Sequence, residues 1–353
     1  MSLAHIARLL GSRIRHRLST EVSCPSPVGG GDANLPPIAM RRWARLAVVL
    51  AILGVVPAPA SAQSEAYVTN QPGDSLSVVD LATLRVKAEI KIGGKPAGVA
   101  IGPGGARAYL TAPEGRELVV VDTATLSVVK RVAIGKGPVG VAAAPDGVVW
   151  VADWYEHTVY AVEPEGRGIL GSIPVGQSPS GVAVTPDGAL VLTADRDSNE
   201  VSIIDARTRT RLGGVKVGER PFGVTIDASG RWAFTANVGS DDVSIIDIAA
   251  RELIGTVKVG HRPYAIALAS GRAFVTDQYA GTVSVFGIGS LRSMGTIEVG
   301  DHPEGIAADE DGRFVYVACW GDNVLVKIDA SKLNVVGRVA VGDGPRAFGV
   351  FLK

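Results

Sequence analysis

Gly218-Glu219-Arg220-Pro221-Phe222-Gly223 contains one copy of a short motif, G-x-x-P, that decides the fold of this chain. Seven copies of the motif recur in step, and their successive prolines are separated by 42, 41, 42, 42, 40 and 42 residues. A fixed period of this length is typical of repeat architectures, in which each repeat is one supersecondary unit. The seven prolines are Pro96, Pro138, Pro179, Pro221, Pro263, Pro303 and Pro345.

A second column of residues keeps the same period and ends an apolar run in each repeat. In the fourth repeat the run is Val201-Ser202-Ile203-Ile204, and the column residue is Asp205. Two columns in step along most of the chain indicate seven copies of one unit. The column consists of Asp80, Asp122, Glu163, Asp205, Asp247, Gly287 and Asp329.

Each repeat is predicted to contain four antiparallel β-strands. In the fourth repeat we predict strands at 181–184, 189–194, 200–204 and 212–217. Alternating apolar and β-branched residues favour strands, whereas Gly, Pro, Asn and Asp favour the turns between them. Four-stranded repeats of this length are typical of propeller blades, so we expect an all-β, seven-bladed β-propeller.

The two ends of the repeat region are predicted to complete one blade together. Residues 66–70 correspond to the second strand of a blade, and residues 347–352 to a first strand without partners. Pairing of the N- and C-terminal strands would close the ring and remove free sheet edges, which favour aggregation. An open solenoid would instead need polar capping units, and the sequence has none.

The first 62 residues have the pattern of an export signal rather than of a domain. Three arginines at 41, 42 and 45 precede an apolar run at 46–56, and a small-x-small cleavage site ends at Ala62. This pattern predicts a Sec-type signal peptide at 40–62, and the run is too short for a transmembrane helix. Residues 1–39 are then a dispensable extension, a start codon assigned too early, or an extended n-region. We expect residues 63–353 to be one propeller domain, periplasmic or extracellular, with no transmembrane segment.

Charge and cysteine content exclude several classes of protein. Without the first 62 residues, 28 basic and 33 acidic residues remain. A mildly acidic domain argues against a general binder of nucleic acid or of anionic membranes. Only Cys319 remains after residue 62, so no internal disulfide is expected in an oxidising compartment. We expect a monomer stabilised by its packed core.

Ala66-Tyr67-Val68-Thr69-Asn70 carries a Y-V-T-N signature, and V-S-I-I-D at 201–205 and V-G-x-x-P-x-G at 217–223 accompany it. These elements resemble the YVTN β-propeller repeats, and the resemblance covers about residues 65–353. It implies the propeller fold through motifs that are structural. Related propellers include lactonases, lyases, redox-enzyme subunits and surface-layer proteins, so the fold decides little about function.

The G-x-x-P loops are expected to surround the mouth of the central channel, because each loop leads into the innermost strand of a blade. The ends of the second strands open on the same face, and loops carry binding sites more often than strands do. The residues there are mainly cationic with several aromatics, which predicts a protein partner or a small anionic ligand. The alternative is a set of solvated turn residues without a shared ligand. The candidates are Lys95, Lys136, Arg220, Phe222, His261, Arg262, Tyr264, His302, Glu304, Arg346, Trp154, Tyr155 and Trp320.

A metal site in two neighbouring blades is a further hypothesis. Its ligands would be His261 and His302 from consecutive mouth loops, with Asp277 and Cys319 from the ends of second strands. Imidazole, thiolate and carboxylate groups suit zinc or copper. The alternative is a small apolar cysteine and two turn histidines too far apart to share an ion. No other cofactor is expected.

The sequence favours a binding module over an enzyme. It contains no C-x-x-C-H, H-E-x-x-H, G-x-S-x-G or Walker A motif. The repeat intervals differ by at most two residues, which leaves little room for the long loops that often wall off a propeller active site. We therefore expect binding on the channel-mouth face, with a role beside a periplasmic redox system as one variant. The alternative is a lactonase- or lyase-type enzyme with residues scattered around the mouth.

Overall fold

The computed structural model describes residues 65–353, so the predicted extension and signal peptide lie outside the described residues. Within the described part, 27 strands alternate with turns. Its helices are two 3-10 turns, at Pro103–Gly105 and Arg196–Ser198. No helix of these residues has both the length and the apolar character needed to cross a membrane.

The strands form seven consecutive sheets, numbered here as blades 1 to 7 in chain order. Blade 1 contains β1 (Glu65–Asn70), β2 (Ser75–Asp80) and β3 (Arg85–Lys91). Blade 2 contains β4 (Val99–Ile101), β5 (Arg107–Ala112), β6 (Glu117–Asp122) and β7 (Ser127–Ala133). Blade 3 contains β8 (Pro138–Ala143), β9 (Val149–Asp153), β10 (Thr158–Val162) and β11 (Ile169–Pro174). Blade 4 contains β12 (Pro179–Val184), β13 (Leu190–Asp195), β14 (Glu200–Asp205) and β15 (Thr210–Lys216).

Each of the remaining three blades contains four strands, like blades 2 to 4. Blade 5 contains β16 (Pro221–Ile226), β17 (Trp232–Asn237), β18 (Asp242–Asp247) and β19 (Glu252–Lys258). Blade 6 contains β20 (Pro263–Ala269), β21 (Arg272–Asp277), β22 (Thr282–Gly287) and β23 (Ser293–Glu298). Blade 7 contains β24 (Pro303–Ala308), β25 (Phe314–Cys319), β26 (Val324–Asp329) and β27 (Asn334–Ala340).

Each blade is an antiparallel meander in which every strand pairs with the next one along the chain. First strands of neighbouring blades contact each other, as β12 does with β16 and β16 with β20, so these strands lie innermost. The fourth strands lie outermost and are mostly exposed. The fold is therefore an all-β, seven-bladed propeller, as the repeat period predicts. The strands predicted in the fourth repeat differ from β12–β15 by at most two residues at either end.

The hydrophobic core lies between the blades. Trp150 and Ile173 of blade 3, for example, pack in one cluster with Val191 and Ile204 of blade 4, and all four are buried. Burying an aliphatic or aromatic side chain of this size is worth about 1.5–3 kcal/mol. Because every blade shares such a cluster with a neighbour, blade-to-blade packing is the main source of stability in a protein that lacks disulfides within residues 65–353.

The acidic column found in the sequence caps the turn between the third and fourth strands. Asp205 ends β14, and its Oδ1 accepts hydrogen bonds from the N–H and the hydroxyl of Thr208, at 2.7 and 2.8 Å. Asp122 binds Thr125 in the same way. Hydrogen bonds to the charged form favour it, so the pKa of Asp205 lies below its usual value. Turn structure is therefore sufficient to explain this column.

Glycine in the extended motif G-x-x-P-x-G lets neighbouring blades approach closely. A Cβ added at Gly140 would lie 1.9 Å from the carbonyl oxygen of Ser180 in the next blade. A Cβ added at Gly98 would lie 2.3 Å from the carbonyl oxygen of Val139. Real Cβ atoms do not come so close to another backbone, and neither oxygen belongs to a movable side chain. Glycine here is required by packing of the inner strands.

A threonine one residue before the end of the second strand links three blades to the backbone of the next blade, through Thr69, Thr111 and Thr276. The Oγ1 of Thr111, near the end of β5, donates to the carbonyl oxygen of Val139 at 2.7 Å and accepts from the N–H of Gly98 at 2.8 Å. In blade 4 the equivalent residue is Ala194, and Thr193, one position earlier in β13, has a buried Oγ1 without a hydrogen-bond partner. In that blade the hydroxyl of Ser180 donates to the carbonyl oxygen of Phe222 at 2.8 Å instead.

The C-terminal segment lies antiparallel beside β1. The N–H of Glu65 donates to the carbonyl oxygen of Lys353 at 2.9 Å, and the N–H of Lys353 donates back at 2.8 Å. The N–H of Tyr67 donates to the carbonyl oxygen of Phe351 at 2.9 Å. The segment therefore occupies the place beside β1 that a first strand holds in the other blades.

Candidate functional site

Two rings of side chains surround the channel mouth, and each blade contributes one residue to each ring. We define the inner ring by the residue after each repeat proline and the outer ring by the residue after each second strand. The inner ring is Ala97, Val139, Ser180, Phe222, Tyr264, Glu304 and Arg346. The outer ring is Gln71, Pro113, Trp154, Arg196, Val238, Gln278 and Trp320.

A repeated backbone contact fixes the two rings relative to each other. The N–H of Trp154 donates to the carbonyl oxygen of Gly137 at 2.9 Å, and the N–H of Gln278 donates to that of Arg262 at 3.0 Å. Because backbone atoms make these bonds, one scaffold can present a different side chain in every blade.

Buried polar groups at the ends of the second strands support the mouth loops from below. The carboxylate of Asp153 accepts hydrogen bonds from the N–H groups of Lys136 and Gly137, both at 2.7 Å. Asp195 and Asp277 are also fully buried. Desolvation raises the pKa of Asp195 to about 7 and that of Asp277 to about 6.

Three aromatic rings close the channel beneath the mouth. The ring centroids of Phe222 and Tyr264 lie 4.3 Å apart, and Phe348 lies 5.1 Å from Phe222 and 5.6 Å from Tyr264. Tilted and edge-on ring pairs at such distances are favourable. Burial raises the pKa of the Tyr264 hydroxyl, although Arg346 opposes this effect. Tyr264 therefore stays protonated and packs as a neutral ring.

A side-chain hydrogen-bond network surrounds Arg346 beside these rings. Its Nε donates to Glu304 at 2.7 Å, its Nη1 donates to Gln71 at 3.0 Å, and its Nη2 donates to the hydroxyl of Tyr264. The other carboxylate oxygen of Glu304 accepts from the amide of Gln278 at 2.6 Å. Glu304 is 5% exposed, so this is a desolvated ion pair with its hydrogen bonds made.

A cavity of about 270 Å³ lies between the inner and outer rings on the side of blades 1, 2, 3 and 5. Trp154, Tyr155 and Phe222 form its aromatic walls, and Trp154 and Phe222 lie 6.2 Å apart between ring centroids. The other lining residues are Gln71, Ala97, Pro113, Gly137, Val139 and Arg346. This mouth cavity combines an apolar lining with one guanidinium and one amide.

A second cavity, of about 460 Å³, lies along the channel beyond the aromatic rings. The first strands line it with Val, Ile and Ala side chains, and Thr225 and Asp309 are among its few polar residues. Phe348 lines this channel cavity, whereas Phe222 lines the mouth cavity. The aromatic rings therefore separate the two.

An exposed row of rings crosses the mouth face of blades 6 and 7. Centroid distances along His261, Tyr279, His302 and Trp320 are 5.6, 5.6 and 6.1 Å in that order. Tyr279 is 55% exposed and Trp320 39% exposed. The guanidinium of Arg262 lies 4.7 Å from the centre of the Tyr279 ring. We call these four residues the aromatic row.

Three of the predicted cations at the mouth, Lys95, Lys136 and Arg346, lie beside acidic side chains. The Nζ of Lys95 lies 3.0 Å from the carboxylate of Asp74, and that of Lys136 lies 3.4 Å from Glu156. Arg220 is held through its backbone N–H, which donates to Asn199 at 2.8 Å. The sequence indicates an excess of positive charge at the mouth that these acidic neighbours reduce.

The four residues of the metal hypothesis bind other groups. The carboxylate of Asp277 accepts from Ser284 and Thr282, at 2.7 and 2.8 Å. Cys319 is buried, which raises the pKa of its thiol to about 12. The imidazoles of His261 and His302 lie beside Asp241 and Asp301, respectively. Across residues 65–353 no group of three or more His, Cys, Asp or Glu side chains is arranged to hold a metal ion. The metal hypothesis stays a prediction, which metal analysis of the purified protein tests directly.

Of the residues predicted from the sequence, six come together at the mouth: Trp154, Tyr155, Phe222, Tyr264, Glu304 and Arg346. His261, His302 and Trp320 meet in the aromatic row instead. Sequence reasoning missed Gln71, Gln278 and Phe348. The two glutamines directly follow Asn70 and Asp277, polar residues that end second strands, so the position after each strand end is the signal that could have found them.

Comparisons with known proteins identify the fold. No protein-family model matches the chain, and no curated protein sequence does either. Among solved structures, hydrazine synthase from Kuenenia stuttgartiensis is similar, with 19% identity over 71% of this chain and 88% of that chain and a TM-score of 0.64. A functionally unknown protein from Desulfotomaculum acetoxidans has 19% identity over 81% of this chain and 98% of that chain, with a TM-score of 0.72. Likeness at this identity defines the class, a seven-bladed β-propeller, and leaves the activity open.

Proposed function

We propose that this protein is an exported β-propeller binding module that holds a small ligand at its channel mouth. The observation that carries the proposal is the mouth cavity, in which aromatic walls from blades 3 and 5 meet the guanidinium of Arg346. Ligand sites are concave and mostly apolar, with a few polar groups that fix orientation. The signal-peptide pattern of residues 40–62 supports export to the periplasm or the cell exterior.

An enzyme of the lactonase or lyase kind is the alternative, and it needs an acid or a base beside the bound substrate. The carboxylate of Glu304 accepts hydrogen bonds from Gln278 and Arg346, one on each oxygen. These bonds engage both oxygens of Glu304 and use it to position the arginine. The arrangement therefore favours binding over proton transfer.

Docking of a protein partner is the second candidate, and the aromatic row supports it. Tyr279 and Trp320 are exposed, although aromatic residues are usually buried or placed where a partner covers them. An accessory role beside a periplasmic redox protein is a variant of this candidate. Tyr279→Ala should weaken such a complex and leave ligand binding in the mouth cavity unchanged.

A cavity-filling variant tests the proposal. Val139 lines the mouth cavity at an inner-ring position where blade 5 has Phe222, so a phenylalanine is compatible with the fold. We expect a panel of neutral, cationic and anionic one-ring compounds to contain binders of the wild type. Val139→Phe should abolish their binding in calorimetric titrations, because its ring occupies the site.

The matched control is Trp320→Ala, which changes an outer-ring tryptophan that does not line the cavity. This variant should bind the same compounds as the wild type. If no compound of the panel binds the wild type, or if Val139→Phe binds as well as the wild type, the proposed ligand site is wrong. Mass spectrometry of the recovered compounds distinguishes binding from turnover, and chemical conversion would favour the enzyme alternative.

A further inference from the structure

The mouth cavity has the shape of a site for a single flat ring. Trp154 and Phe222 are adjoining walls of the cavity, with centroids 6.2 Å apart and planes inclined by 51°. Tyr155 stands at the rim and is 68% exposed, and Ala97, Pro113 and Val139 complete the apolar lining. A volume of about 270 Å³ lies just below the roughly 300–1,000 Å³ typical of sites for drug-sized ligands. The cavity therefore suits one ring with a short substituent.

The charged side chain that lines the cavity is positive. Of its nine lining residues only Arg346 is charged. A guanidinium has five N–H donors, and Arg346 uses three of them on Glu304, Gln71 and Tyr264. Two donors remain, and the amide nitrogen of Gln71 adds two more beside them. A carboxylate accepts two parallel hydrogen bonds from such a fork better than any neutral group does.

The partners of Arg346 hold its guanidinium in place before a ligand arrives. Glu304 binds the Nε side at 2.7 Å and does not itself line the cavity. A preorganised donor loses little side-chain entropy when it binds, which raises affinity. A cationic ligand would instead face Arg346 directly. The cation–π position over Trp154 is also taken by Arg196, whose guanidinium lies 5.5 Å from the ring centre.

From this geometry we infer that the ligand is a small aromatic carboxylate, with its ring packed against the wall formed by Trp154 and Phe222 and its carboxylate on Arg346 and Gln71. The inference rests on the proposed ligand-binding function and names the chemical class for that same cavity.

Calorimetric titration with four matched compounds tests the inference. Phenylacetate has both the ring and the carboxylate, 2-phenylethanol and 2-phenylethylamine keep the ring with a neutral or cationic group, and acetate keeps only the carboxylate. A hydrogen bond to a charged group is worth roughly 10- to 100-fold in affinity. We expect phenylacetate to bind at least tenfold more tightly than the other three compounds.

The double variant Glu304→Gln/Arg346→Gln removes the charge of the guanidinium without leaving Glu304 as an unpaired buried carboxylate. It should lose at least tenfold of its phenylacetate affinity and keep its affinity for 2-phenylethanol. Trp154→Ala should lose both ligands, and Trp320→Ala should lose neither. Thermal unfolding shows whether each variant is folded.

The outcomes separate the two proposals. Equal affinity for phenylacetate and 2-phenylethanol would overturn the carboxylate inference and leave the ligand site in place. Absence of binding by every one-ring compound would overturn both. If the peptide Gly-Gly-Phe bound while phenylacetate did not, the site would serve the C terminus of a partner protein, and the small-molecule inference would be wrong.

Discussion

Buried carboxyl groups at the ends of the second strands accept different numbers of hydrogen bonds. Asp153 accepts four backbone hydrogen bonds, from Lys136, Gly137, Tyr155 and Glu156. Asp195 has less support, because its Oδ1 is buried without a partner and its Oδ2 accepts from Gly176 and Ser202 only. Burial penalises charge that hydrogen bonds do not stabilise, so the pKa of Asp195 rises to about 7.

We predict that Asp195→Asn stabilises the protein at pH 8. The folded state holds the proton of Asp195 more tightly than the unfolded state, whose pKa is about 3.8. The free energy of unfolding of the wild type therefore falls as the pH rises from about 4 to about 7. A pKa difference of one is worth about 1.4 kcal/mol, so we expect a gain of about 1–4 kcal/mol at pH 8. Urea unfolding at pH 4, 6 and 8 measures it.

Equivalent positions in two other blades provide a natural precedent and a control for the change Asp195→Asn. Asn237 holds the equivalent position in blade 5, where its Nδ2 donates to Asp242 and Ser244 at 2.8 and 2.9 Å. Asp153→Asn should instead destabilise the fold, because an amide nitrogen cannot accept the loop N–H groups. A variant Asp195→Asn that is less stable than the wild type at pH 8 would contradict the prediction.

At the scale of strands, a buried threonine hydroxyl joins the second strands of blades 1, 2 and 6 to the next blade. We predict that Thr111→Val costs about 1–3 kcal/mol, because it leaves the carbonyl of Val139 and the N–H of Gly98 without their buried partner. Thr193→Val is the control, because Thr193 is also a fully buried threonine of a second strand. It replaces a hydroxyl that has no partner, so it should be neutral or stabilising. Chemical denaturation of both variants measures the difference, and equal costs would show that the inter-blade link contributes nothing.

Strand positions could be predicted from the sequence because the signals are local. Proline, glycine and alternating β-branched residues recur within each 42-residue unit, and β12–β15 lie within two residues of their predicted positions. The mouth cavity could not be predicted, because it depends on which side chains meet across the ring. Phe348 follows its repeat proline by three residues and contacts Phe222, which lies more than 120 residues away along the chain. A pattern within one repeat does not indicate which residues of distant repeats will be in contact.

At the scale of the whole molecule, we propose that pairing of the C-terminal segment with β1 closes the ring. Ala66 and Leu352 face each other in an antiparallel bridge, between the hydrogen bonds of the pairs Glu65–Lys353 and Tyr67–Phe351. Side chains in such non-hydrogen-bonded pairs lie close enough for a disulfide.

We predict that the double variant Ala66→Cys/Leu352→Cys, made with Cys319→Ala, forms a disulfide and melts at a higher temperature when oxidised than when reduced. A cross-link of this kind typically adds about 2–4 kcal/mol by constraining the unfolded chain. Thermal unfolding with and without reductant measures the change, and the single variant Ala66→Cys controls for the added thiols. If the thiols stayed reduced under oxidising conditions, the two ends would not be paired in solution.

The outer ring of the mouth is separate from the residues that space the blades. Gly140, Thr111 and Asp153 fix that spacing, whereas the outer-ring side chains lie on backbone contacts that most residues can make. The propeller is in this respect comparable to an antibody framework, with seven outer-ring positions in place of hypervariable loops. Exchange of outer-ring residues alone can therefore change the ligand. A library randomised at those positions would vary the ligand that is bound while every member keeps the same fold.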